Sequence, residues 1–223
     1  MLQQTAARVS AIRALTGELA MNANRSSAIA ICLTGILGLA PAVGFAQAAT
    51  TYSGEAEALK ATALGINVAL ADTGALPSGG GNLNTSVASI NLLGLASADA
   101  LKSTTSGSGN SSQSQASLTN LSLLGGLVAA DVVKSNSSAS CSGSTASASG
   151  NSELVGLVAA GQSILVSNPN VAISLPGGIS LTVNEQTSSS GGSAGSTTVN
   201  ALHVKGPGID IVVASAHSDI TCP

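Results

Sequence analysis

The chain is 223 residues long; 44% of its residues are hydrophobic and only 8% are charged. It contains one Tyr, one Phe and no Trp, and its formal net charge is −3. Proteins that follow nucleic acid use basic side chains for the phosphates and aromatic rings for base stacking. This composition therefore excludes a nucleic-acid groove, and it equally excludes an aromatic bed for sugar rings.

The N-terminal region has the order of a secretory signal. Arg25 precedes an uncharged apolar run at residues 28–40, and residues 46–48 (Ala-Gln-Ala) are the small residues that a signal peptidase accepts. We predict that residues 1–48 are an N-terminal extension plus a helical signal peptide that is cleaved after Ala48. The alternative is an uncleaved membrane anchor, since about 18 apolar residues can span a bilayer.

Cleavage at this position leaves residues 49–223 as a single exported domain without a membrane span. A 48-residue signal exceeds the usual length, and a start at Met21 instead of Met1 would bring it into the ordinary range. The remaining part has four Lys against nine Asp and Glu, and Tyr52 is its sole aromatic residue. We expect one core of Ala, Val, Leu and Ile, whereas the oligomeric state does not follow from the sequence.

Two cysteines remain after the leader, which contains Cys32, is removed. Cys141 and Cys222 form an even pair, and in an oxidising compartment an even pair most simply forms one disulfide. The alternatives are two free thiols or a metal-binding pair.

Two segments, residues 90–103 and 121–135, follow one pattern of apolar residues, a glycine and a charged pair. The alignment superposes Asp99 on Asp131 and Lys102 on Lys134. Repetition of this kind indicates one supersecondary unit that is used more than once. We expect the charged pairs at equivalent strand ends, where they would keep the sheet edges soluble.

Alternation with a period of two indicates that the repeated unit is a β-hairpin. Residues 171–185 alternate on both sides of a Pro-Gly-Gly turn at 176–178, and residues 199–205 and 209–216 flank a second turn in the same manner. Tracts rich in Gly, Ser and Asn separate the apolar stretches at 77–84, 103–115, 135–152 and 187–197.

These patterns predict an all-β fold, an antiparallel hairpin-rich sandwich or barrel. A β-solenoid is the alternative, because its coils also repeat every 20–30 residues. Residues 56–63 are rich in Ala and could be helical on propensity alone.

Three C-terminal segments resemble a known family. Residues 176–191, 198–204 and 211–222 are similar to the choice-of-anchor P family of exported bacterial proteins, and residues 68–77 look like its early segment. The resemblance implies an exported or surface-displayed domain whose activity is not established and which is often joined to C-terminal anchoring signals. Because this chain stops at Pro223 without a sorting motif, we expect release or non-covalent surface association.

The candidates for metal-ligating chemistry lie near the C-terminus. Imidazole and carboxylate groups bind divalent ions, and His203, Asp210, His217 and Asp219 belong to strands that could bring them together. Hydrogen-bonded histidines on a sheet surface are the simpler interpretation, because no compact ligand spacing is present. The polar run at 184–186 is predicted to close off its strand.

No catalytic set is convincing in this sequence. Residues 191–195 match the Gly-x-Ser-x-Gly pattern of hydrolases, but the match lies in a Ser/Gly tract, whereas the motif needs a strand-to-helix turn. The leading hypothesis is therefore a secreted or cell-surface structural or adhesion-type domain without catalytic activity or cofactor. Its expected partners are envelope or matrix components.

Two alternatives remain open. One is a metal- or small-ligand-binding module that uses the C-terminal hairpin. The other is a surface that contacts ice or polysaccharide through rows of Ser and Thr. Such a surface needs a flat Thr array, which Thr104-Thr105 and Thr197-Thr198 do not supply.

Overall fold

The computed structural model describes residues 49–63, 65–166 and 168–223, and within them nearly every segment is a β-strand. The predicted signal peptide and its cleavage site at Ala48 lie outside the described residues. No helix in the described ranges has the length and apolar character needed to cross a membrane. The strands, in chain order, are β1 Thr51–Ala63, β2 Ile66–Asp72, β3 Gly81–Leu92, β4 Ala96–Ser108, β5 Ser111–Leu123, β6 Val128–Ser142, β7 Thr145–Val155, β8 Val158–Ala159, β9 Gln162–Ser163, β10 Val171–Leu175, β11 Ile179–Gly191, β12 Ala194–Gly206 and β13 Ile209–Thr221.

The strands form two antiparallel sheets that pack face to face. The C-terminal sheet has the order β10-β11-β12-β13-β1-β2, because the first strand inserts beside the last. The central sheet has the order β3-β4-β5-β6-β8-β9, with β7 also paired to β6. Strand β13 packs over β5 and β6, β12 over β7, and β1 over β4. The predicted sandwich is confirmed, and the barrel and solenoid alternatives are wrong.

The predicted hairpins are confirmed, but the Ser-rich tracts have a different structure from the one expected. Strands β10 and β11 flank the turn at 176–178, and β12 and β13 flank the turn at 207–208. The tracts at 103–115, 135–152 and 187–197 do not separate structural units, because each is itself a hairpin of two long strands joined by a two-residue turn. Inside them, serine and threonine alternate between the core and the surface.

The interior changes composition along the strands. At one end, β1, β4, β5, β6, β12 and β13 contribute an apolar cluster of Ala, Val, Leu and Ile. Farther along the same strands lies a layer of buried hydroxyls: Ser103, Thr105, Ser112, Ser114, Ser135, Ser137, Thr197 and Ser218. Beyond this hydroxyl layer, a small cluster contains Ala139, Ile220 and the disulfide between Cys141 and Cys222. The predicted disulfide is present.

Two local expectations are wrong. The Ala-rich segment 56–63 is part of β1, because its small side chains pack into the core between the sheets and this packing overrides helix propensity. Asp99 and Asp131 do occupy equivalent positions, each three residues after the start of its strand. Their strands, β4 and β6, flank β5 inside the central sheet, so the charged pairs protect no sheet edge.

Candidate functional site

His203 lies on the outer face of the C-terminal sheet between two carboxylates. Its Nδ1 is 2.7 Å from Oε2 of Glu185 on β11, and its Nε2 is 2.9 Å from Oδ1 of Asp210 on β13. The antiparallel register places His203 beside Val212 and Thr182, so both carboxylates approach diagonally from the neighbouring strands. The His203 side chain on β12 is therefore within hydrogen-bond distance of a carboxylate on each neighbouring strand, β11 and β13.

Glu185 is the partner that sequence reasoning missed. Burial disfavours its ionised form, but hydrogen bonds from Asn200, at 2.7 Å, and from His203 outweigh burial and hold the pKa of Glu185 below its ordinary value. The predicted strand end at 184–186 is wrong, since β11 continues to Gly191. Glu185 therefore faces Asn200 in the middle of a sheet, where it stays ionised.

The other two candidate ligands are not part of this arrangement. His217 Nδ1 bonds the hydroxyl of Thr198 at 2.9 Å, and the register pairs Asp219 with Ser53 and Ser196. Among the residues that the structure describes, no group of three or more His, Cys, Asp and Glu side chains is placed to hold a metal ion. The four residues are therefore not assembled into one ligand set.

A small pocket lies on the same outer face, and sequence reasoning missed it as well. Its volume is about 230 Å³, and it is lined by Glu55, Glu57, Lys60, Asn200, Val212, Ser215 and His217. We call it the Glu57 pocket. The register aligns Glu57 with Ser215 and Glu55 with His217, so residues from β1, β12 and β13 meet there.

Glu57 is the one buried ionisable side chain among the described residues. Its side chain is 9% exposed, and its Oε1 has no hydrogen-bond partner within the described chain. Burial is the main cause that raises the pKa of Glu57 from 4.5 to about 7. Lys60 opposes this rise, whereas Asp72 and Glu55 add to it.

A larger groove crosses the outer face of the central sheet. Its volume is about 480 Å³, and strands β4 to β7 form it from uncharged amide and hydroxyl residues together with one glycine. Two rows of side chains lie in register along it: Thr104, Gln115, Asn136 and Asn151, and then Ser106, Gln113, Ser138 and Ser149. We call this surface the polar groove.

Among the described residues, the two rows of the polar groove form two side-chain hydrogen bonds, and Gln113 Nε2 donates one of them to Ser111 Oγ at 3.2 Å. Gln115 Nε2 donates to Asn136 Oδ1 at 2.6 Å, which links β5 to β6. The next row on the same face of these strands, beside Thr104 and Asn151, contains the charged residues Lys102, Lys134 and Glu153. The groove itself is neutral, and its amides and hydroxyls can both donate and accept.

The sequence signals for both surfaces were weak for a physical reason. The groove residues belong to tracts whose composition is typical of loops. A row of side chains across four strands also depends on the register of three strand pairings, which no single segment specifies. Alternation within residues 135–142 is the one local signal that this tract is a strand. No local pattern around Glu57 indicates that its side chain is buried, because its neighbours in space come from segments near residues 72 and 215.

No family model, no curated protein and no solved structure matches this chain. The resemblance to the choice-of-anchor P family therefore stays a prediction.

Proposed function

We propose that this protein is a secreted or cell-surface adhesion-type domain, without catalytic activity, that holds a neutral hydroxyl-rich polymer in the polar groove. The supporting observation is the pair of in-register rows, which present amides and hydroxyls across four neighbouring strands. Polysaccharides of a cell envelope or matrix have the matching chemistry. They carry many hydroxyls, each of which donates and accepts, and no obligatory charge.

The dimensions of the polar groove suit a short stretch of such a polymer. Neighbouring strands lie about 4.8 Å apart, so a row of four residues extends over about 14 Å. The cavity volume of about 480 Å³ falls within the range of small-molecule sites. A ligand along the rows would meet a hydrogen-bonding group at every strand.

The composition also sets the strength of binding. Aromatic residues usually dominate tight interfaces, and the polar groove is lined without one. Each site should therefore bind weakly, and useful attachment would come from many copies on one polymer or one surface. This behaviour is typical of adhesion and matrix proteins.

One feature supports an extracellular location, and two further features bear on the proposed non-catalytic role. The Cys141–Cys222 disulfide favours an oxidising compartment, in agreement with the predicted signal peptide. The hydroxyl–imidazole pair of Thr198 and His217 lacks the third, orienting group of a catalytic triad in the described part of the chain. Ser193 lies in the β11–β12 turn and not in a strand-to-helix turn. The metal-binding alternative receives no comparable support, because His203 is bonded to two carboxylates.

Affinity electrophoresis through gels that contain dextran, mannan or soluble cellulose oligomers tests the proposal. We expect at least one neutral polysaccharide to retard the protein and the anionic polymer polygalacturonate to have less effect. The double variant Gln115→Ala/Asn136→Ala should migrate as it does in an empty gel. The control Asn67→Ala/Gln162→Ala also removes one Asn and one Gln side chain, but outside the groove, and it should be retarded like the wild type.

Other results would contradict the proposal. Unchanged migration of the wild type in all neutral gels argues against a neutral polymer, and equal retardation of both double variants argues against the groove. Mass spectrometry of the protein from fractionated cells tests its location. A mature N-terminus at Ala49 in the medium or envelope fraction is expected, and an intact leader in the cytoplasmic fraction would contradict export.

A further inference from the structure

The Glu57 pocket contains an acceptor that the fold leaves unused. Glu57 Oε1 is buried and has no partner within the described chain. A buried polar atom without a hydrogen bond destabilises the folded protein, so such atoms are rare unless a ligand, an ion or water completes them. Glu57 thus points to a partner that donates hydrogen bonds.

The internal counter-ion of Glu57 is loosely held. Lys60 Nζ lies 3.8 Å from Glu57 Oε2, which is beyond hydrogen-bond distance, and the Lys60 side chain is 63% exposed. A surface ion pair of this kind contributes little stability. A second cation that enters the pocket can therefore displace the Lys60 ammonium into solvent at small cost.

The remaining lining residues complete an acceptor-rich site. Glu55 adds a second carboxylate, and Asn200 donates through Nδ2 to Glu185, which leaves its Oδ1 as an acceptor. Val212 supplies an apolar wall against which a short hydrocarbon stem can pack. The volume of about 230 Å³ suits one charged head group with a few carbons.

An organic cation fits these groups better than a metal ion. A metal needs several ligand atoms that converge on one point, and the described residues include no such cluster of three or more. An ammonium or guanidinium group instead has several N–H donors that point in different directions. We propose that the Glu57 pocket binds a primary ammonium or guanidinium group, carried by a small amine or by a Lys or Arg side chain of a polypeptide.

Nuclear magnetic resonance of the ¹⁵N-labelled full chain at about pH 8, where the Glu57 carboxyl with its pKa of about 7 is ionised, tests this site. Methylguanidinium and n-propylammonium represent free cations, and blocked tripeptides with a central Arg or Lys represent the polypeptide source. We expect saturable shifts in the amides of β1, β12 and β13 with a dissociation constant of about 1 mM. Binding of the small cations alone would identify a free amine as the ligand. Binding of the peptides alone would identify a polypeptide side chain as the ligand. Either result supports the proposed pocket.

Matched variants separate the pocket from general electrostatic attraction. Glu57→Gln should weaken binding by about tenfold or more, and Glu55→Gln, which is exposed and compatible with folding, by a few-fold. The control Glu153→Gln removes the same charge from the central sheet and should bind like the wild type. Lys60→Gln should strengthen binding by several-fold because it removes the competing ammonium, whereas Lys102→Gln should have little effect.

Three outcomes would overturn the proposal. The first is the absence of saturable shifts with every probe at about 10 mM, ten times the expected dissociation constant. The second is equal weakening by Glu57→Gln and Glu153→Gln. The third is saturable shifts in these strands with CaCl₂ or ZnCl₂ and none with the organic cations. None of these results depends on the polar groove, which lies on the other sheet.

Discussion

The Ser137 hydroxyl on β6 and the Ser218 hydroxyl on β13 are 2.8 Å apart and buried between the two sheets. Their sequence separation of 81 residues equals that of Cys141 and Cys222, which lie four residues farther along the same chain segments. From the serine pair to the cysteine pair both segments advance by four residues, so the two segments run in the same direction at this place. Four is an even number, so on each segment the serine and the cysteine share one face. The Ser218 hydroxyl also donates to the Ser137 carbonyl oxygen at 3.3 Å, so two hydrogen bonds and one covalent bond connect the same two chain segments.

The hydroxyl pair predicts a measurable coupling. Ser137→Ala or Ser218→Ala leaves a buried hydroxyl with fewer partners, and each should lower the free energy of unfolding by about 1–2 kcal/mol. The double variant removes both hydroxyls and should be less destabilised than the sum, by about 0.5 kcal/mol or more in a denaturant-based cycle. The exposed pair Ser140 and Ser147, at 3.0 Å, is the control and should contribute within about 0.5 kcal/mol. Strict additivity at the buried pair would contradict the coupling.

The disulfide should supply a large part of the stability. It closes a loop of 81 residues, and the chain-entropy account gives about 4–5 kcal/mol for a loop of this length. Urea unfolding of Cys141→Ala/Cys222→Ala should show a loss of this order, as should the reduced wild type. A loss below about 1 kcal/mol would contradict this account and would mean that the unfolded chain without the disulfide keeps residual structure.

Glu57 makes stability depend on pH in a defined direction. Its pKa is about 7 in the folded protein against 4.5 ordinarily, so the folded state retains a proton that the unfolded state releases. This contribution is fully present below pH 4.5 and is lost as the pH rises to about 7, on the order of 3 kcal/mol in all. Glu57→Gln should remove this loss, so that the variant is more stable than the wild type at about pH 8.

The charged and titratable groups around Glu57 define the controls for this pH profile. Glu55 and Lys60 approach from β1, Asp72 from β2 and His217 from β13. Glu153→Gln, far from them, should keep the wild-type profile of the midpoint of urea unfolding. An unchanged profile in Glu57→Gln would show that the carboxyl of Glu57 titrates near its ordinary pKa.

Gly150 on β7 is required by close packing against β12. A side-chain carbon at this position would overlap the Val199 side chain, and it would lie 3.0 Å from the Asn136 carbonyl oxygen. Gly150→Ala should therefore destabilise the protein by about 1–3 kcal/mol through overpacking. In Gly150→Ala/Val199→Ala the second change makes room for the first, and thermal unfolding should show less destabilisation than the sum of the single variants.

The outer positions of the Gly150 region provide the contrast. The side chains of Ser149 and Asn151 point away from the core. Ser149→Ala or Asn151→Ala should therefore change the free energy of unfolding by no more than about 0.5 kcal/mol. A comparable loss at all three positions would contradict a specific contact with Val199.

Much of the architecture could be predicted because its signals are local. The turns at 176–178 and 206–208 and the alternation around them specify hairpins whatever the rest of the chain does. The even pair Cys141 and Cys222 required only a count of cysteines and an exported context. The Ser-rich tracts were misjudged because polarity usually marks loops, whereas here serine occupies both faces of long strands.

The sites could not be predicted to the same degree. His203 and Asp210 are seven residues apart across one turn, and their contact followed from the hairpin. Glu185 joined them only because β11 pairs with β12, and Glu57 joined Asn200 and Ser215 only because β1 inserts beside β13. No local pattern encodes these neighbours.

The amino-acid sequence alone determined the hairpins around the turns at 176–178 and 206–208, the scarcity of aromatic side chains, and the even pair of cysteines after the predicted leader. These properties depend on residues close together in the chain, whose conformational preferences act over a few positions. The tertiary structure alone decided that polar tracts would align into a groove and that a carboxylate would be buried at a junction of distant strands. Register and sheet order are collective results of packing the whole core, so side chains many residues apart acquire a common environment only after the chain has folded.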